Sequence, residues 1–452
     1  MTAFRFDRVF VKNTGLSALS AACMQGMLAL VVYPTLSRTL GTAAFGYFML
    51  AASFTNFVIP VFGGAFANSL LRQHRDVSEE RRGGFWLTGN ALVGCFGMLM
   101  GAALLALAGP LAARWKIPQL AVWLPALVPS MILTMVYYNL RIQLIARVAY
   151  KRLVIFDLFY SAGLLLVPIG CASGWLGERW PLLFAAAPAC SLAAILPYLA
   201  RTGGLSLRGA GLATGGRILG PMSIYLFGLV SIYLMRMADR WILGEAGLPG
   251  EQIAYYTVAI QAAFLVLFPL DHVSSVLVAY FSNVERISDI EPVHARRYFY
   301  ALGLSMAGLV LAGPPLGYAY IRFLFGVEYL RVGMTVYLIT LGALAIYLLQ
   351  MFGRGIIVRF RRPVTDPIIQ TVFGAISLGL VWVLVHSHGV IGAAIGRNVG
   401  FVAVGVAYFF ICERELFGHA FFNKGETDGN AHLRDEGPPV DQRAEVGLVR
   451  PK

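Results

Sequence analysis

Arg236 and Arg397 each sit in a stretch of chain that is otherwise almost without charge over the length of a membrane helix. PMSIYLFGLVSIYLM (221–235) leads into the first, and GVIGAAIGRNVGFVAVGVAYFFI (389–411) surrounds the second. A cation at that depth costs about 2.5–3.5 kcal/mol on insertion scales, so it faces a cavity, a partner or an anionic ligand. The planar guanidinium bonds two oxygens of a phosphate or carboxylate at once, which makes anion recognition the chemistry in question. Arg240 lies four residues beyond Arg236, on the same helix stripe as Tyr233. Asp239 stands between the two arginines and leaves two readings open. Either the arginines face a cavity, or Asp239 neutralises one of them and the cluster only holds helix geometry.

The second arginine has a different setting. Arg397 follows Gly396 in a run with Gly392, Gly396 and Gly400 four apart, a ridge that lets helices approach closely. Arg397 is rotated off that ridge, so one face can pack while another carries charge. Asp271 and His272 fall near the middle of a further apolar run, 253–281. A carboxylate or imidazole there serves as a carrier for a coupling proton, or else pairs with an arginine of a neighbouring helix. Gln25, Asn56, Asn68, Asn90, Asn139 and Gln261 also lie within or near apolar runs, where interhelical hydrogen bonds account for most of them.

The elements that must position these residues are membrane helices. Hydrophobic residues make up 58% of 452 positions, charged residues 13%, and mean hydropathy is +0.70. A soluble domain carries roughly twice that charge fraction. Windows of roughly 20 apolar residues recur at 14–36, 45–70, 85–108, 119–140, 153–172, 181–200, 218–238, 253–281, 298–320, 332–353, 364–385 and 389–411. The expected fold class is an all-α integral membrane protein with about 12 transmembrane helices in two six-helix bundles around a central cavity.

Twelve spans alternate the joints between two sides. One side, with both termini, collects 27 of the 36 Lys and Arg residues, and the other collects seven, including Arg38 and Arg240. By the positive-inside rule both ends face the cytoplasm. The net charge of +13 then reflects topology and attraction to anionic lipid heads rather than nucleic acid. The polar segment before the first span has no small-residue cleavage site and reads as a retained anchor. The five cysteines lie in or at the ends of spans without a CxxC and read as small apolar packers. His386 and His388 have no acidic or cysteine partner nearby, so neither a metal site nor a cofactor is expected.

The chain divides at its longest basic interruption, RTGGLSLRGAGLATGGR. The expected units are a six-helix half at 1–200, a cytoplasmic linker at 201–217, a second six-helix half at 218–411 and a disordered cytoplasmic tail at 412–452. An even number of spans per half makes the halves parallel repeats. Pro34, Pro60, Pro221 and Pro269 fall in the first two spans of each half, where they kink helices that neighbours tolerate.

Three segments carry a resemblance. YPTLSRTLGTAAFGYFMLAASF (33–54), NLRIQLIARVAYKRLVIFDLFYSAG (139–163) and ADRWILGEAGLPGEQIAYYTVAIQAAF (238–264) resemble polysaccharide-unit flippases. These are the Wzx-type branch of the multidrug/oligosaccharidyl-lipid/polysaccharide exporter superfamily. The resemblance covers residues 10–411. It implies translocation of undecaprenyl-diphosphate-linked oligosaccharide across the bacterial inner (cytoplasmic) membrane, for O-antigen or exopolysaccharide biosynthesis. It adds Arg38, in its family-like setting, to Arg236, Arg240 and Arg397 as expected cavity cations. Asp239, Asp271 and His272 are expected as coupling or ion-pair groups. The partners it implies are the lipid-linked oligosaccharide, membrane lipids and the polymerase and chain-length proteins of the same pathway.

Two rival classes differ in visible features. A polymerase or ligase of the same pathway would present a large outer loop with catalytic residues, and every outer joint here is short. An ion-coupled drug or metabolite exporter of the same superfamily would share the span pattern but handle a different cargo. No P-loop, HExxH or GxSxG is present, so no enzyme is expected and an ion gradient, the membrane potential or substrate concentration supplies the energy.

Overall fold

Each apolar window becomes a helix because a chain in hydrocarbon must satisfy its own backbone hydrogen bonds. A computed structural model describes residues 15–16, 19–20, 22–147, 149–202, 207–282, 292–350 and 365–417, with the side chains of 75, 268–282, 292–299, 301 and 413–417 left aside. The described residues are almost entirely helical and contain no strand. Nine of their helices are long and apolar enough to cross a membrane.

In chain order the elements are α1 Tyr33–Leu40, α2 Thr42–Gln73, α3 Glu79–Trp115, α4 Leu120–Ala146, α5 Tyr150–Ala172 and α6 Gly177–Arg201. They continue with α7 Leu212–Glu245, α8 Gly250–Ser282, α9 Pro292–Tyr320, α10 Leu330–Tyr347 and α11 Thr365–Phe417. Helix α11 breaks at Gly389, whose φ of 56° and ψ of −138° reverse the chain into two limbs. That break falls where the two last apolar windows divide. The expected tail from 418 onward, and residues 203–206 of the expected linker, lie outside the described residues.

Prolines and glycines set the local geometry. The wide turns Met27–Val32 and Ile59–Gly63 adjoin Pro34 and Pro60. Proline donates no backbone hydrogen bond, and a local widening re-satisfies the carbonyls it frees. The ridge of Gly392, Gly396 and Gly400 folds the second limb of α11 onto the first. A Cβ at those positions would lie 2.1 Å from the Leu384 carbonyl oxygen, 2.5 Å from Val381 N and 2.6 Å from Ser377 Cβ. Helix α7 packs on α11, which also packs on α10, while α8 packs on both α10 and α2.

The segments before and after the linker meet at the end that bears the α1–α2 turn at Gly41. Gly46 of α2 and Gly250 of α8 touch there backbone to backbone. A Cβ on Gly46 would stand 1.9 Å from the Gly250 carbonyl oxygen. Tyr33, Phe45, Phe325, Tyr329 and Tyr255 form a chain of ring contacts beside it. The Arg114 guanidinium grips Glu245 through Nε at 2.8 Å and Nη2 at 2.5 Å, and Trp115 Nε1 donates to the same carboxylate at 2.9 Å. At the opposite end of α2 a second seam forms, where Ser69 donates to the Ile218 carbonyl at 2.7 Å and Gln73 to that of Arg217 at 3.1 Å.

Candidate functional site

Helix α7 brings Arg236, Asp239 and Arg240 to three successive positions of its inner surface, and the second limb of α11 meets them with Arg397. The Asp239 carboxylate is fully buried and gathers one ion-pair partner and two hydrogen-bond donors. Arg397 Nε stands 3.2 Å from Oδ2, the Tyr256 hydroxyl donates to the same oxygen at 2.6 Å, and the Arg240 backbone N–H donates to Oδ1 at 2.9 Å. The sequence left Asp239 to neutralise one of its neighbours on the same helix, but its ion-pair partner is Arg397, 158 positions along the chain. Helix geometry explains the change. Residues i and i+1 point about 100° apart around a helix, so Arg240 gives Asp239 its backbone N–H, and Arg397 reaches the carboxylate from α11.

Arg397 is 1% exposed. Its guanidinium lies 5.3 Å from the Phe264 ring centroid and 5.1 Å from that of Phe401, and Nη2 donates to the Arg236 carbonyl at 3.4 Å. Aromatic faces stabilise a desolvated cation without discharging it. Among the described residues, Arg397 Nη1 and Arg240 Nε find no hydrogen-bond acceptor. Buried donors of native proteins are almost always paired, so donors left over here are capacity for a further acceptor. Arg240 shares the field of Asp239 with Arg397 and lies near the Tyr33 and Tyr256 hydroxyls. Arg236 is half-buried, stacked between the Tyr233 ring at 5.9 Å and the Phe264 ring at 5.6 Å. Two guanidiniums, those of Arg397 and Arg240, therefore share one carboxylate. The cluster is electropositive where water is scarce and electrostatic interactions are strong.

Arg38 is not part of this cluster. It is exposed at the Gly41 end and donates to the Phe323 carbonyl at 2.9 Å, beside a 2.5 Å hydrogen bond between the Ser37 and Tyr329 hydroxyls. Asp271 and His272 belong to α8, and their side chains lie outside the described residues. Of the polar side chains in spans, Asn139 donates to Asn90 at 2.7 Å, an interhelical bond of the kind expected.

The structure adds a second buried ion pair that the sequence reading passed over. Asp157 of α5 is fully buried and 3.0 Å from Arg141 Nε of α4. It also accepts hydrogen bonds from the Tyr137 and Ser20 hydroxyls, while Arg141 Nη2 lies 3.3 Å from Ser20 Oγ. By sequence Arg141 belongs to the basic joint at 141–152, but α4 continues to Ala146 and carries it inside the helix. The signal was available, because Asp157 is a lone carboxylate within the apolar window 153–172. A third buried carboxylate, Asp366 at the start of α11, accepts from the Tyr408 hydroxyl.

No family model and no curated protein matches the sequence. Solved structures match the fold over nearly its whole length. A multidrug resistance MATE family transporter of the MOP superfamily, in an inward-facing conformation, superposes with a TM-score of 0.70 at 13% identity, covering 88% of this chain and 94% of its own. The Vibrio cholerae MATE transporter VcmN in its bent form gives 0.64 at 15% identity over 90% and 96%. The lipid II flippase MurJ, in an inward closed conformation, gives 0.62 at 15% identity over 91% and 88%. At such low identity the likeness concerns architecture, and the conclusion it carries is that this chain has the fold of the MOP superfamily transporters.

Proposed function

We propose that the protein is a flippase that carries undecaprenyl-diphosphate-linked oligosaccharide repeat units across the bacterial inner membrane by alternating access around a cationic site. The observation that carries this reading is the surplus of buried positive charge at Asp239, with two guanidinium nitrogens lacking an acceptor. A diphosphate supplies acceptor oxygens in pairs, and arginine matches that geometry. A cationic drug would meet like charge at the same place, which disfavours the drug-exporter alternative. A fold shared with a lipid flippase supports the reading at the level of architecture. The sequence segments 33–54, 139–163 and 238–264 support the polysaccharide-unit branch. In this reading the halves 1–200 and 218–411 rock about the site, with the Gly41 end facing outward and both termini in the cytoplasm.

Two experiments test it. Deleting the gene should accumulate a lipid-linked oligosaccharide on the inner leaflet, and purified protein in vesicles should move that lipid to the opposite leaflet. Vesicles that translocate drug cations but not the lipid would overturn the assignment. Topology is tested independently by reporter fusions: those after residues 115 and 245 should read outside, and those after 80 and 205 inside. A fusion at 205 reading outside would rule out the division into two six-helix halves.

A further inference from the structure

A cavity of about 540 Å³ opens at the end of the bundle opposite Gly41, far from the cluster at Asp239. It lies between the start of α3, the ends of α4 and α6, and the loop that leads into α7. Its walls carry Glu79, Glu80 and Arg82 of α3, Arg147 beyond α4, Thr202 beyond α6 and Arg208 of the loop. Three guanidiniums and two carboxylates from separate segments thus face one space of small-ligand size. Helix dipoles explain part of this, since Glu79 and Glu80 suit the first turn of α3 and Arg147 suits the end of α4. Glu79 also pairs with Arg82 at 3.3 Å, and Arg82 Nε donates to the Val77 carbonyl at 3.0 Å. Arg147 is half-buried and its Nη1 donates to Thr202 Oγ1 at 3.0 Å, which fixes the guanidinium on the cavity wall. Among the described residues neither Arg147 nor Glu80 belongs to an ion pair.

The loop that supplies Arg208 is a fixed wall. Gly84 of α3 touches it backbone to backbone, and a Cβ there would stand 2.2 Å from the Arg208 carbonyl oxygen and 2.4 Å from Ala210 N. Gly209 adopts a φ of 81° against Arg81, and its carbonyl accepts from Thr214 Oγ1 at 2.7 Å. Leu207 and Leu212 flank this loop at 78% and 96% exposure. In water two bare leucines are unfavourable. At the edge of membrane spans they enter the headgroup layer and hold the mouth of the cavity against the lipid.

We propose that this cavity binds the headgroup of a membrane aminophospholipid, a phosphate diester joined to a primary ammonium. Arg147 and Arg208 take the phosphate oxygens, the pairing that guanidinium geometry favours. Glu80 accepts from the ammonium N–H groups, and Leu207 and Leu212 seat the loop beside the acyl chains. A purely anionic headgroup would satisfy the arginines but meet Glu79 and Glu80 as like charge. A quaternary ammonium would give Glu80 no N–H to accept. The site is independent of the transported cargo, and a lipid held there pins the loop between the halves to the first of them.

The test follows lipid binding to the full-length purified protein by native mass spectrometry. Phosphatidylethanolamine, phosphatidylglycerol and phosphatidylcholine are the probes, and soluble glycerophosphoethanolamine is the competitor. Phosphatidylethanolamine should bind about tenfold more tightly than either other lipid, the contribution of one hydrogen bond to a charged group. Arg147→Gln should remove most of that affinity, and Arg147→Lys should keep part of it. Glu80→Gln, at an exposed position, should erase most of the preference over phosphatidylcholine and leave phosphatidylglycerol binding unchanged or tighter. Leu207→Ser with Leu212→Ser should weaken the lipid. Arg201→Gln, at an exposed arginine beside the cavity, should change nothing. Phosphatidylglycerol binding best, with Arg201→Gln as harmful as Arg147→Gln, would mean general attraction of basic joints to anionic lipid and overturn the proposal. So would equal binding of the three lipids, or a preference that survives Glu80→Gln. Displacement of the lipid by an equal concentration of glycerophosphoethanolamine would make the ligand a soluble aminophosphate and overturn its assignment to the membrane.

Discussion

Asp239→Ala should destabilise the protein by about 3–5 kcal/mol, because it strands Arg397 as a buried, unpaired cation. The carboxylate it removes is fully buried and holds Arg397, Tyr256 and the Arg240 backbone N–H. The melting temperature of the purified protein should fall, and export should be lost. Arg397→Ala should do the same from the other side, since Asp239 would keep only Tyr256 and a backbone donor. Arg397→Lys should retain part of the export because the charge stays while the fork is lost. The informative variant is Asp239→Asn/Arg397→Gln, which replaces the ion pair by neutral groups of similar size. It should recover most of the melting temperature and none of the export, scored as lipid-linked sugar reaching the outer leaflet. Export restored along with stability would show that the pair only holds the helices together.

Gly46→Val should lose the packed Gly41 end. A Cβ at residue 46 would stand 1.9 Å from the Gly250 carbonyl oxygen, 2.8 Å from its carbonyl carbon and 2.9 Å from Ala254 N. Those are backbone atoms of α8, so no side-chain rotation relieves the overlap, and the two helices must separate. Overpacking of this kind costs about 1–3 kcal/mol, occasionally more. A bias of that size shifts a two-state equilibrium about 5- to 150-fold. Spin labels at Lys116 and Gly247 should report a longer distance in the variant, and transport should stall for want of the closed state. Glu245→Gln, which weakens the Arg114 grip at the exposed edge of the same end, should have a far smaller effect because exposed ion pairs contribute little. An unchanged label distance in Gly46→Val would mean that this contact plays no part in closing the end.

Composition and periodicity determined the solvent of this protein. An apolar fraction of 58% and repeated windows of helix-spanning length admit no other class than a helical membrane protein. The same logic located Arg236 and Arg397, because a charge inside hydrocarbon stands out against its neighbours. It also found the glycine ridge at 392–400, since close helix approach selects glycine, and it divided the last two apolar windows at 385/389, beside the glycine where the structure turns the chain.

Partnership is what tertiary structure alone decided. Which arginine meets Asp239 depends on how the second limb of α11 lies against α7, a contact between residues far apart in sequence. Arg38 looked like the cavity arginines by type and setting, yet the fold places it on the exposed Gly41 end, bonded to a carbonyl of the opposite half. Arg141 looked like one more basic residue of a joint, and only the extra helical turn of α4 and the aspartate of α5 make it a buried, oriented group. Charge in a membrane span can be read from one dimension because its cost depends on depth. Whether that cost is met by a partner or left open to a ligand depends on which helices touch, and linear order does not encode that.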